Sequence, residues 1–110
     1  MKRSSPFVLA LVLCAVPGCI RTPKDVCREY VTAVNDLLIR CEIPYTYDVI
    51  LDDDEVGCDY VGRVSDADSI LNDCIPWTRS VECEELMFET DGTVRLDDDC
   101  NSGSFQGYDR

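Results

Sequence analysis

The sequence predicts an all-α, disulfide-rich domain: a helical hairpin or small bundle of three to four short helices stapled by three disulfides. The chain has only 110 residues, so it holds one small domain at most. Apolar residues recur at spacings of three and four in several stretches, which is the period of an amphipathic helix. The chain also contains eight cysteines. A small core of this kind gains much of its stability from disulfides.

Composition excludes several function classes. The chain has 22 acidic and 10 basic side chains, a formal net charge of −12 and no histidine. The lack of histidine removes Ser-His-Asp and Cys-His nucleophiles, histidine-ligated zinc and histidine pH switches. The acidity argues against nucleic-acid binding, because such proteins need basic surface to displace counterions from phosphate.

The N-terminus has the features of an export signal. Residues 1–5 are basic, and residues 6–16 form an uncharged apolar run. That run is about 11 residues long, whereas a membrane-spanning helix needs about 20. The sequence therefore predicts a signal peptide over residues 1–18. Residues 16–19 at the predicted cleavage site read VPGC, which resembles the bacterial lipobox, so we expect Cys19 to carry lipid such as palmitate. Residues 19–22 are then the lipidated cysteine and a short tether.

Cysteine parity supports lipidation. Cleavage before Cys19 removes Cys14 and leaves seven cysteines, and an odd number leaves one reactive thiol. If lipid occupies Cys19, six remain for disulfides: Cys27, Cys41, Cys58, Cys74, Cys83 and Cys100. The alternative is an ordinary secreted protein in which Cys19 is free or bonded to another molecule.

Signal-peptide removal also changes the charge distribution. It takes away Lys2 and Arg3 and no acidic residue, which leaves 92 residues with 8 basic and 22 acidic side chains, a net side-chain charge of −14. Arg21, Lys24 and Arg28 lie next to the predicted anchor. We interpret them as a basic membrane-proximal end below an acidic body, or else as a chance grouping.

The first predicted element is a helix over residues 23–42. Thr22 can cap it, Pro23 suits its first position and Asp25 completes a capping box. An apolar stripe follows at helical spacing: Cys27, Tyr30, Val31, Val34, Leu38 and Cys41. Pro44 ends the segment.

The geometry of this helix restricts the disulfides. Cys27 and Cys41 are about 21 Å apart along its axis, too far for the roughly 7 Å that a disulfide allows. Each must therefore bond to a later segment. Six cysteines allow 15 pairings, and our best guess is Cys27–Cys74, Cys41–Cys58 and Cys83–Cys100.

The remaining elements before residue 93 are predicted as helical. Residues 45–64 fit either a strand or a helix, and we favour helix because the neighbouring segments are helical. A helix capped by Ser65 ends at Pro76, and another covers residues 81–90. Residues 93–96 form a brief extended piece. The stapled helical domain thus covers residues 23–100, and residues 101–110 form a disordered tail.

The pattern resembles small cysteine-rich lipoproteins of myxobacteria and related bacteria. The matching features are the VPGC start, Cys27 with Tyr30 opening an amphipathic helix, Cys74-Ile75, Cys83-Glu84 and a final Cys100. The resemblance covers roughly residues 19–100. This family is functionally uncharacterised, so the resemblance implies no catalytic residues.

Two groups of residues are candidates for binding. The acidic runs 52–55 and 97–99 contain oxygen ligands of the kind that Ca²⁺ prefers, but solvated acidic surface is the better interpretation. Five aromatic residues are candidates for a recognition surface: Tyr30, Tyr45, Tyr47, Tyr60 and Trp77. For Trp77 we favour a place in the core, where its large apolar area is best used.

These features predict a membrane-anchored bacterial lipoprotein that acts as a non-enzymatic envelope interaction or structural module. We expect no cofactor, no metal and no nucleic-acid partner, and a lipid anchor in the envelope. Ile20 is not the aspartate that retains lipoproteins in the inner membrane, which favours the outer membrane. The alternative is a soluble secreted binding or inhibitor-type protein, and an enzyme ranks third because no catalytic constellation is visible.

Overall fold

The structure, a computed structural model, describes residues 21–108. The predicted signal peptide and the predicted lipid site Cys19 lie outside this range. In chain order the elements are α1 (Pro23–Arg40), β1 (Ile50–Asp52), β2 (Glu55–Val56), β3 (Val61–Val64), α2 (residues 67–80), β4 (Met87–Phe88), β5 (Val94–Arg95) and β6 (Phe105–Gly107). Short 3-10 turns lie at Cys58–Tyr60, Cys83–Glu85 and Ser102–Ser104.

The prediction of an all-α fold is wrong, because the described chain combines two helices with three small antiparallel sheets. The sheets pair β1 with β2, β3 with β6, and β4 with β5. Isolated two-stranded ribbons are only marginally stable in water. Here β3 packs against α1, and disulfides join the other segments to the two helices.

The predicted first helix is confirmed, with an end two residues earlier than expected. The backbone of Asp25 donates to the hydroxyl of Thr22 at 3.1 Å, and the Thr22 backbone donates to the Asp25 carboxylate, which completes the capping box. At the other end Glu42 has a φ of 56°, and the backbone of Ile43 donates to the Leu38 carbonyl at 2.8 Å. This is a Schellman motif, so the helix stops at Arg40.

Residues 45–64, which we favoured as helical, are extended apart from one 3-10 turn. Burial alternates along residues 43–49, so that Ile43, Tyr45, Tyr47 and Val49 face the core while the residues between them are exposed. This period of two is that of a strand. Gly57 has a φ of 109°, a conformation that favours glycine and breaks the segment before the 3-10 turn.

The second helix does not end at Pro76 as predicted. It runs over residues 67–80 as an α-helical turn, a π-helical turn (Ile70–Cys74) and an α-helix (Ile75–Ser80). Proline removes one backbone donor and crowds the preceding turn. The wide π-helical turn lies directly before Pro76, where the backbone of Ile75 donates to the Ile70 carbonyl, so the proline is accommodated inside the helix.

The predicted helix over residues 81–90 is replaced by a 3-10 turn and strand β4. Leu86, Met87 and Phe88 are consecutive, so a helix would not place them on one face. A turn at Gly92, with a φ of 93°, returns the chain to β5, and Asp91 accepts hydrogen bonds from the backbone and hydroxyl of Thr93. The brief extended piece predicted near residues 93–96 is present as β5.

The segment after Cys100, predicted as a disordered tail, is ordered through residue 108. β6 pairs with β3 in antiparallel register, with Val64 opposite Phe105 and Val61 opposite Gly107. Phe105 is only 3% exposed, and its ring centroid lies 5.3 Å from that of Tyr30. One aromatic side chain thus fixes a stretch whose overall composition is polar.

All six predicted cysteines form disulfides, but our three guessed pairings are wrong. The bonds are Cys27–Cys58, Cys41–Cys83 and Cys74–Cys100. Each end of α1 is joined to a later segment, as its length requires. The pairings differ from the guess because residues 45–64 are extended, which brings Cys58 beside the start of α1 instead of its end.

The hydrophobic core lies between α1, β3, α2 and β6. Its largest fully buried side chains include Tyr30, Leu37, Leu38 and Ile70. In residues 21–108 no helix combines the length and apolar character needed to cross a membrane.

Candidate interaction surface

The three basic residues next to the predicted anchor are engaged within the domain. Arg21 pairs with Glu29, and Arg28 contacts Asp59 at 3.0 Å. Lys24 donates to the carbonyl of Val61 at 3.1 Å and to the hydroxyl of Tyr108, and lies 4.2 Å from the centroid of the Tyr108 ring. These contacts join the start of α1 to the neighbouring elements. Because the three basic side chains contact groups of the domain itself, the interpretation of a basic membrane-proximal end has less support.

A pair of tyrosines lines one groove. The groove has a volume of about 490 Å³ and is bordered by Tyr30, Tyr47 and the segment that leads to Cys100. The two phenolic oxygens are 3.0 Å apart, and the rings meet edge to face at 5.6 Å. Burial raises the pKa of both hydroxyls further above neutrality, and both are protonated at neutral pH. Tyr30 is fully buried and its hydroxyl contacts that of Tyr47, so the partly exposed Tyr47 is the neutral hydrogen-bonding group that faces a ligand.

Trp77 lines a second, smaller pocket. The pocket has a volume of about 190 Å³, and its apolar wall is formed by Trp77, Met87 and Leu96. Met87 is 60% exposed and Trp77 is partly exposed, so the prediction that Trp77 fills the core is wrong. The carboxylates at this pocket belong to Glu85, Asp97 and Asp98.

Residues 95–98 border both cavities, and we call this segment the acidic ridge. Arg95 contacts Glu89 at 3.1 Å. Behind the ridge, Cys100 is bonded to Cys74 of α2. The ridge is therefore attached at a fixed place between the tyrosine groove and the tryptophan pocket.

The two acidic runs lie on different parts of the molecule. Residues 52–55 form the tip of the β1–β2 hairpin, whereas residues 97–99 cover the last two residues of the acidic ridge and Asp99 directly after it. Desolvation, followed by the nearby charges of Asp73, Asp97 and Asp98, raises the pKa of Asp99. Within residues 21–108 no three histidine, cysteine or acidic side chains are grouped so as to hold a metal ion.

The sequence-predicted aromatic residues do not form one surface. Tyr30, Tyr47 and Trp77 border the acidic ridge on its two sides. The hydroxyl of Tyr45 instead accepts a hydrogen bond from the backbone of Val94 at 2.8 Å and holds β5. Tyr60 lies apart in the 3-10 turn before β3. Met87, Leu96 and Glu85 were missed, because they were assigned to a helix or a connecting piece rather than to the walls of a pocket.

A further groove of about 500 Å³ lies between β1 and β6. Its lining residues include Ile50 and Leu51 of β1 and Phe105 and Gln106 of β6. Arg63 is the one charged side chain among the described residues that line it. This groove therefore gives little indication of the charge of a ligand.

Comparisons with protein-family models, curated proteins and solved structures found no match to this chain. The functional interpretation therefore depends on the residues and their geometry.

Proposed function

We propose that the chain is a bacterial lipoprotein, anchored in the cell envelope through lipid on Cys19, whose folded domain is a non-enzymatic interaction module. The observation that carries this proposal is the use of the cysteines. All six between residues 21 and 108 are consumed in disulfides. Disulfides of this density are typical of proteins exported to an oxidising compartment.

The anchor and the domain are close together in the chain. The cap of α1, Thr22, comes three residues after Cys19. An extended chain reaches at most about 3.6 Å per residue, so the tether spans on the order of 11 Å. A lipid on Cys19 thus holds the domain near the membrane surface.

The surface supports binding as the role of the domain. Met87, which is 60% exposed, lies at one pocket with Leu96 and the partly exposed Trp77. Apolar side chains grouped at a pocket and rimmed by polar groups are typical of a protein contact site. We place the domain in the envelope, at the outer membrane, because Ile20 follows the proposed lipid site.

Metabolic labelling tests the anchor. The full chain is expressed in a bacterial host with an alkyne fatty acid, beside the variants Cys19→Ala and Cys14→Ala. We expect label on the native chain and on Cys14→Ala, with both in the outer-membrane fraction, and no label on Cys19→Ala. An unlabelled native chain released to the medium would instead support the soluble secreted alternative.

A further inference from the structure

We propose that the tyrosine groove, the acidic ridge and the tryptophan pocket together bind a basic, extended segment of a partner protein, with one lysine or arginine side chain in each cavity. This inference rests on the proposed interaction role and names the chemistry of the partner. The ridge lies between the two cavities, so a segment that crosses it reaches both.

The charge of this surface is unbalanced. Four carboxylates line the two cavities: Glu85, Glu89, Asp97 and Asp98. Arg95 is the basic residue among the lining side chains, and it contacts Glu89. Among residues 21–108, Glu85, Asp97 and Asp98 have no basic side chain within salt-bridge distance. These carboxylates repel one another, and two cationic side chains from a partner would offset that repulsion.

The tryptophan pocket suits the rest of a long basic side chain. Lysine and arginine carry an apolar stem below the charge, and the stem packs well against apolar groups such as Met87 and Leu96. An aromatic ring such as that of Trp77 also attracts a cation through its quadrupole. The volume of about 190 Å³ is sufficient for one such side chain.

The tyrosine groove presents hydrogen-bond acceptors to a lysine or arginine side chain of the partner. Guanidinium and ammonium groups donate hydrogen bonds and accept none. The carboxylates of Asp97 and Asp98 and the phenolic oxygen of Tyr47 can accept them. A tyrosine hydroxyl is neutral at neutral pH, so the negative charge of this groove comes from Asp97 and Asp98 of the ridge and from Glu89.

The same charge argues against other occupants. A second copy of this chain, an anionic lipid surface and a nucleic acid are all negative, and the predicted mature chain carries −14. Repulsion between like charges disfavours each of them. A basic protein segment is the occupant that matches both the carboxylates and the aromatic walls.

The single tryptophan of the chain provides a direct readout. The oxidised full-length Cys19→Ala chain is titrated with the peptide Ac-RLRLRLR-NH2, and the emission of Trp77 is followed. We expect a saturable change in emission that weakens with added salt, since screening reduces attraction between exposed charges. The same peptide with citrulline in place of arginine should leave the emission unchanged. Use of the unlipidated chain keeps this test independent of the labelling test.

Matched variants locate the site. We expect Asp97→Asn/Asp98→Asn to weaken binding about tenfold, equivalent to 1.4 kcal/mol. The control Asp53→Asn/Asp54→Asn makes the same charge change at the tip of the β1–β2 hairpin and should change the affinity less than twofold. Equal weakening by both pairs would overturn the proposal in favour of unspecific attraction. The same emission change with Ca²⁺ alone, or no binding of the arginine peptide by the folded chain, would also overturn it.

Discussion

The carboxamide of Asn35 holds the backbone of Tyr47 through two hydrogen bonds. Its oxygen accepts from the Tyr47 N–H at 2.8 Å, and its nitrogen donates to the Tyr47 carbonyl at 3.0 Å. A side chain of α1 thus takes the place of a neighbouring strand for the extended segment after the helix. This contact also positions the hydroxyl of Tyr47 beside that of Tyr30, at the wall of the tyrosine groove.

The variant Asn35→Asp should destabilise the fold by about 1–3 kcal/mol, because a carboxylate still accepts from the N–H but leaves the Tyr47 carbonyl without its donor. Asp36→Asn is the matched control, since Asp36 is the next residue of α1 and is exposed. Urea unfolding of the oxidised proteins measures both changes. An equal stability for the native chain and Asn35→Asp would contradict this role.

The ordered C-terminal segment predicts a large cost for Phe105→Ala. Phe105 is 3% exposed and packs against Tyr30, and truncation of a buried phenylalanine costs about 3–5 kcal/mol. The same substitution at Phe88, which is 50% exposed, should cost much less. Thermal unfolding followed by circular dichroism compares the two. A disordered tail would make Phe105→Ala the milder change of the pair.

Helix α1 could be predicted from the sequence because its signals are local and agree. Thr22, Pro23 and Asp25 specify the start, and the apolar stripe supplies the buried face. The end was predicted two residues late, because glutamate at position 42 gives no warning of the left-handed conformation that closes the helix.

The sheets and the binding surface could not be predicted because they depend on distant contacts. The extended conformation of residues 43–49 requires Asn35 of α1, and β6 requires β3 about 40 residues earlier. The cysteine set followed from parity, but the pairing needed the path of the chain. Likewise, residues 95–98 show their acidity in the sequence but not the two cavities beside them.

The disulfides should differ in their resistance to reduction. Cys27 and Cys74 are fully buried, whereas Cys83 is exposed and its partner Cys41 is half-buried. A reductant therefore reaches the Cys41–Cys83 bond most easily. Limited treatment with dithiothreitol without denaturant, followed by alkylation and peptide mapping, should find label first on Cys41 and Cys83. Earlier labelling of Cys27 would show that the protein opens before that bond is attacked.

Loss of a disulfide should also destabilise the fold. Replacing Cys74 and Cys100 together by alanine should lower the free energy of unfolding by about 2–5 kcal/mol. Because this bond attaches the acidic ridge to α2, the variant should also shift the emission of Trp77 in the absence of peptide. The control pair Cys27→Ala/Cys58→Ala removes a disulfide whose two residues do not line the tryptophan pocket and should leave that emission unchanged. An unshifted emission in the first variant would show that the ridge is held by other contacts.

Two aspartates should make opposite contributions to the pH dependence of stability. Hydrogen bonds from the backbone and side chain of Thr22 lower the pKa of Asp25 below 3.8, so its stabilisation is present above pH 3.8 and is lost as the pH falls through the lowered pKa. For Asp99, desolvation and neighbouring carboxylates raise the pKa above 3.8. Its ionisation therefore destabilises the folded state, with no penalty below pH 3.8 and the full penalty above the raised pKa.

The variants Asp25→Asn and Asp99→Asn test these signs. We expect Asp25→Asn to be less stable than the native chain at neutral pH and the difference to shrink below pH 3.8. Asp99→Asn should be more stable at neutral pH, and its advantage should disappear as the pH falls to 3.8.

Both effects should be small, because both carboxylates are exposed. Urea unfolding at a series of pH values measures them, with Asp53→Asn as a control that should follow the native chain. A lower stability of Asp99→Asn at neutral pH would show that the ionised Asp99 carboxylate makes contacts that outweigh its repulsion from Asp73, Asp97 and Asp98.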